Sequence, residues 1–95
     1  KAVNRLTLEG ASFEDLSEKE LDKLKLSGGI RFKEIGPGKW ENAGIQPGFI
    51  ITMIDKRVIK NIEELKIYLD TVKGDGILIT GYYPNGEKVY YGIAW

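Results

Sequence analysis

The spacing of glycine constrains this fold more than any other feature. Twelve of the 95 residues are glycine, and they fall between short apolar runs. Glycine is costly inside helices and strands and useful in tight turns, so this is the punctuation of a strand-rich domain. A chain of this length fits one domain and leaves no room for two. Its hydrophobic share of 42% is enough for one modest core. There is no internal repeat and no low-complexity tract.

Val3 to Leu8 alternates weakly and reads as a short strand, broken at Gly10-Ala11. Ser12 is positioned to cap a short helical turn carrying Phe13 and Leu16. Ser17-Glu18-Lys19-Glu20 is a capping box ahead of Leu21, Leu24 and Leu26, predicting a second short, charged helix that is partly exposed. Ile30 to Ile35 alternates apolar with charged residues, the pattern of a half-buried strand. Lys39 to Ala43 predicts one helical turn, and Gln46-Pro47-Gly48 another turn of chain. Phe49 to Ile54 is nearly all apolar and reads as a central strand. Asp55-Lys56 turns into a short strand at Arg57-Val58-Ile59. Asn61 caps the main helix, about Ile62 to Val72, whose apolar face is Ile62, Leu65, Tyr68, Leu69 and Val72. Pro84-Asn85-Gly86-Glu87 joins the strands Ile77–Tyr83 and Lys88–Trp95 as a hairpin. Val89, Tyr91, Ile93 and Trp95 share one face of the last strand. The tally is about six strands, one solid helix and one or two short ones: an α+β domain built on a small antiparallel barrel or sandwich.

The chain contains no Cys and no His. Thiol nucleophiles, Cys or His zinc sites and Ser-His or Cys-His catalysis are therefore impossible within it. No catalytic residue, metal ligand or cofactor is expected. Lys and Arg total 14, as do Asp and Glu. That balance, with scattered basic residues, argues against nucleic acid as a partner. No apolar run approaches the roughly 20 residues that span a bilayer, so no direct membrane insertion is expected. No signal-peptide pattern follows Lys1, and the start at Lys1 suggests a fragment or processed product.

Several strings carry a resemblance: Gly28-Gly29-Ile30-Arg31-Phe32, a Gly36-Pro37-Gly38 loop, Ala43-Gly44-Ile45-Gln46-Pro47-Gly48-Phe49-Ile50-Ile51, Ile54 to Val58, and Asn61 to Leu65. With the terminal hairpin they resemble a PDZ domain, in the circularly permuted bacterial form found in HtrA/Deg serine proteases. Leu8-Glu9-Gly10-Ala11 is similar to the start of the second PDZ domain of some of these proteases. The resemblance runs from Leu8 to Trp95 and implies one domain over residues 1–95. Residues 1–27 would lead in, and residues 28–95 would form the core. Phe49 stands where the family usually has Asp, and Asp55-Lys56 where it usually has Asn-Gly.

The resemblance implies a peptide held between the strand Ile30–Ile35 and the main helix. The peptide's terminal carboxylate would meet Ser27, Gly28, Gly29 and Ile30, since glycine-rich turns let successive N–H groups converge on an anion. Ile30, Arg31 and Phe32 would line the strand side. Ile62, Lys66 and Leu69, at i, i+4 and i+7, would line the helix side. Read without the family, Gly28-Gly29 is a loop, and Ile30, Ile62 and Leu69 are core. Gly28 leaves open a wall that many such loops close with a large apolar residue. Ile62 stands where domains selecting Ser or Thr often have His, which implies an apolar preference.

Asp55, Asp75 and Glu87 are explained by turn chemistry. Trp40 is read either as a groove-bordering anchor or as a core cap. The aromatic hairpin of Tyr82, Tyr83, Tyr90, Tyr91 and Trp95 is read as cross-strand packing, or as a contact with a neighbouring domain. The implied function is substrate recognition or regulation of proteolysis, by a module that is not itself an enzyme. Its implied partners are peptide or unfolded-protein segments and the serine protease domain of an oligomeric parent in the bacterial envelope or periplasm. Two alternatives stay open: a structural or oligomerisation domain without peptide affinity, and the PDZ domain of another protease class.

Overall fold

A computed structural model describes residues 5–95. Val3, which the sequence places in the first strand, lies outside the described residues. In chain order the elements are β1 (Arg5–Leu8), β2 (Ala11–Asp15), α1 (Glu18–Leu24), β3 (Ile30–Ile35), α2 (Lys39–Asn42), β4 (Ile50–Ile54), β5 (Arg57–Val58), α3 (Ile62–Thr71), β6 (Gly76–Tyr82) and β7 (Lys88–Ala94). The strands form one antiparallel sheet in the order β1-β2-β3-β4-β6-β7, with β5 also paired to β4. The α+β class, the antiparallel sheet and the single main helix are as the sequence predicts. No helix among the described residues is long and apolar enough to cross a membrane.

The helix boundaries follow from local chemistry. Ser17 and Glu20 form the reciprocal capping box of α1, and Lys25 ends that helix in the left-handed region at φ 59°. No residue of α1 is fully buried. At α3, the Asn61 side chain accepts from the Glu64 N–H, closing the first turn. Ile62, Leu65 and Leu69 then turn into the core.

One element differs from expectation. Ser12 caps no helical turn, because Ala11–Asp15 is strand β2. Ala11 and Phe13 are fully buried at period two, and β2 has partners on both edges, β1 and β3. That pairing is nonlocal, and it outweighs the short-range capping signal of Ser12. The sheet and core therefore reach well before residue 28. The β1–β2 turn is Glu9-Gly10, with φ 49° and 85°, the paired positive values of a tight two-residue hairpin. The Gly10 carbonyl accepts from the Gly36 N–H at 2.8 Å, and a Cβ on Gly10 would stand 2.2 Å from the Pro37 carbonyl oxygen. Only glycine satisfies both the turn and that approach.

The core is an aromatic stack set among isoleucines and leucines. Phe13 and Phe32 lie 4.6 Å apart, and Trp40 meets them edge-on at 5.5 and 5.3 Å. Trp40 is fully buried, so its role is core rather than exposed anchor. Its Nε1–H donates to the Leu8 carbonyl at 3.1 Å. On the hairpin, Tyr83 and Tyr91 pack on Phe49, while Tyr90 points outward. Burial, and then the hydrogen bond with the Tyr83 hydroxyl, pushes the Tyr91 phenol up to about 12.

Candidate functional site

The residues that the sequence assigns to a carboxylate cradle are spent on structure. Gly28 and Gly29 are buried, and Ser27 is exposed beside them. The Gly29 N–H donates to the Lys60 carbonyl at 3.0 Å, and its own carbonyl accepts from the Leu16 N–H. A Cβ on Gly28 would stand 2.6 Å from the Lys60 Cα. These glycines allow two backbones to touch, and they do not form an open nest for an anion.

The strand β3 is not a free acceptor either. Ile30 and Arg31 pair with Asp15 and Glu14 of β2 on one edge, and with Ile51 and Ile50 of β4 on the other. Phe32 exchanges backbone bonds with the Phe49–Gly48 segment: it donates to Phe49 at 2.9 Å and accepts from Gly48 at 2.8 Å. Strand addition needs unpaired N–H and C=O groups. Over Ile30, Arg31 and Phe32 there is no such edge, which corrects the placement expected from the sequence. The side chains of Ile30 and Phe32 are fully buried in the core.

The Arg31 side chain is committed as well. It donates to Glu14 through Nε and Nη2, at 3.1 and 2.6 Å, and to Glu20 through Nη1 at 2.6 Å. This clamp ties α1 and β3 to β2. Arg31 holds the Glu20 carboxyl below its ordinary value of 4.5, chiefly by that hydrogen bond, and Glu20 in turn raises the guanidinium. A raised Arg keeps its proton at all working pH and adds no pH dependence. A depressed Glu contributes stability that is complete above its unfolded value and is lost as pH falls through the folded one. Urea midpoints should therefore fall as pH drops below about 4.5. Arg31→Met should lower the midpoint at neutral pH and flatten that acid slope. Parallel slopes for the two proteins would contradict the role given to the clamp.

The structure instead brings α3 beside β2. The Asp15 carboxylate at the end of β2 accepts from the Ile62 N–H at 2.8 Å, docking the start of α3 onto that strand. Further along α3, Lys66 and Leu69 line a pocket of about 210 Å³ with Leu8, Glu9, Lys39, Asp70, Lys73 and Trp95. Leu69 itself is buried, Lys66 is exposed, and Ile62 is core at 5% exposure. So Lys66 and Leu69 do border a cleft, but opposite them stand Leu8 at the end of β1 and Glu9 of the turn into β2, not β3. Sequence reasoning missed Ala11–Asp15. The available signals were the alternation of Ala11 with Phe13 and the family-like string Leu8-Glu9-Gly10-Ala11.

No protein-family model matches this chain, and no curated protein matches it. Among solved structures it is similar to the HtrA3 PDZ domain bound to a phage-derived ligand, FGRWV. The TM-score is 0.75 at 22% identity, over 98% of this chain and 88% of that one. The fold is that of a PDZ domain. Within this PDZ fold the strand beside α3 is β2, and β2 carries β1 along Arg5↔Glu14, Leu6↔Phe13, Thr7↔Ser12 and Leu8↔Ala11.

Proposed function

We propose that the chain is a non-catalytic peptide-binding module that receives an extended segment as a strand against β2, beside α3, in place of the short β1 that holds that edge. PDZ domains recognise peptides by adding them to a sheet edge, with backbone bonds giving affinity and side-chain pockets giving specificity. The observation that carries this reading is the match over 98% of the chain to a PDZ domain whose structure holds a peptide ligand. The docking of α3 onto β2 through Asp15 supports the position. The sequence resemblance extends the proposal to a parent serine protease of the HtrA/Deg kind, oligomeric and in the bacterial envelope or periplasm. There the module would select substrates or regulate cleavage.

A second reading has one observation in its favour. β1 sits on the β2 edge, as it would in a structural domain with no ligand. Titration with a panel of peptides ending in Val, Leu, Ser or Thr separates the two. The peptide reading expects saturable binding with the apolar endings ahead, because Leu8, Leu69 and Trp95 line the cleft beside α3. Absence of binding across the panel supports the structural role, and Ser/Thr dominance overturns the specificity.

A further inference from the structure

We propose that β1 is a built-in occupant of the peptide edge, and that its own pattern describes the ligand: an extended segment with aliphatic residues at alternate positions. The inference rests on the strand-addition reading above. It concerns what already fills that edge and what must happen before a peptide can enter.

Four observations converge on β1. It runs antiparallel to β2 over four residue pairs, as an added strand would. Its side chains divide by period two: Leu6 and Leu8 pack against the core cluster, whereas Arg5 and Thr7 are exposed. Leu8 ends over the pocket lined by Leu69, Lys66 and Trp95 of the α3 side. The buried Trp40 indole donates to the Leu8 carbonyl, so even the backbone of the occupant is read by the core. A peptide placing Leu, Ile or Val at the Leu6 and Leu8 positions would find the same contacts. Lys66 and Lys73 at the Leu8 end suit the negative charge of a peptide terminus there, against Glu9 and Asp70, while Lys39 is held by the Trp95 carbonyl.

The hold on β1 is limited. It is four residues long, none of its side chains is fully buried, and β2 is the only strand paired with it among the described residues. Its ion pair, Arg5 with Glu14 at 3.9 Å, has an Arg side chain 69% exposed and adds little. Segments of this kind open locally far below the global unfolding free energy. A ligand that needs the edge then binds with its affinity reduced by the open fraction.

A reversible lock tests this on the whole chain. The two-residue turn makes Leu8↔Ala11 the hydrogen-bonded pair, so Thr7↔Ser12 is the close, non-hydrogen-bonded pair, with Cα atoms about 4.5 Å apart. That separation admits a disulfide. The chain has no cysteine, so Thr7→Cys/Ser12→Cys can form only one intramolecular bridge. The probe is a labelled peptide ending in Arg-Leu-Thr-Leu with a free carboxylate. Reduced protein should bind it, oxidised protein at least tenfold more weakly, and dithiothreitol should restore binding. Equal affinity in both states overturns the occlusion while leaving strand addition elsewhere, such as the outer edge of β1, intact. No binding of this probe or of the peptide panel in either state overturns both readings. Leu6→Ala, made without cysteines, loosens β1 and should tighten binding severalfold; unchanged or weaker binding also counts against the inference.

Discussion

Trp40→Ala is expected to cost about 3–5 kcal/mol of folding free energy, the range for truncating a buried large aromatic. A domain of this kind has roughly 5–15 kcal/mol in total, so the variant is left marginal. The melting temperature followed by circular dichroism should fall by at least about 12 °C. The reason lies in what the indole touches. It meets Phe13 and Phe32 edge-on, lies 5.0 Å from Trp95, and donates to the Leu8 carbonyl. Truncation opens a cavity at the meeting point of β2, β3 and β7 and removes a donor that β1 uses. Trp40→Phe retains much of the packing and loses the N–H, so it should cost about 1–3 kcal/mol. A melting temperature for the alanine variant within a few degrees of the parent would contradict the core assigned here.

Gly81→Ala is the second large effect, although it adds only one methyl group. Gly81 lies in β6 opposite Ile51, where β4 carries a register irregularity. A Cβ there would stand 1.9 Å from the Ile50 carbonyl oxygen and 2.8 Å from the Phe49 ring. Backbone cannot swing aside as a flexible side chain can, so the β4–β6 ladder must separate locally. Overpacking of this sort costs about 1–3 kcal/mol, and contact with a backbone oxygen puts it at about 3. Gly92→Ala, where nothing lies within 4 Å of the added carbon, is the control and should change stability little. Comparable urea midpoints for the two variants would contradict the close approach.

These effects mark where the fold was legible in the sequence. Elements with a local chemical signal were read from the residues alone: the Ser17–Glu20 box, the Asn61 cap, and the Asn85-Gly86 hairpin. Each is decided by partners three or four residues away. β2 was not legible in that way. Its five residues follow a turn and contain a serine that is a plausible cap, and only pairing with β1 and β3 makes them a strand. Gly81 follows the same rule. A glycine inside an apolar strand announces that some backbone comes close, but not that it is Ile50.

The candidate site was legible in part for the same physical reason. Lys66 and Leu69 were placed by helical spacing, which is local, and they do line the cleft. The amide chemistry of Gly28 and Gly29 suits either an anion cradle or a plain loop. What decides the matter is the Lys60 backbone packed against them, a long-range contact that no spacing rule reveals. Nothing in the sequence around Arg31 reveals that Glu14 and Glu20 hold its donors.

On the proposed reading β2 and α3, not β3, frame the peptide edge. Amide shift mapping of the isotope-labelled domain, during titration with the Arg-Leu-Thr-Leu peptide, tests it most directly. Saturable shifts are expected at Arg5–Asp15 and along Ile62–Leu69, with the β1 amides changing most as that strand is displaced. Shifts confined to Gly28–Lys33, with β1 and β2 unmoved, would contradict it.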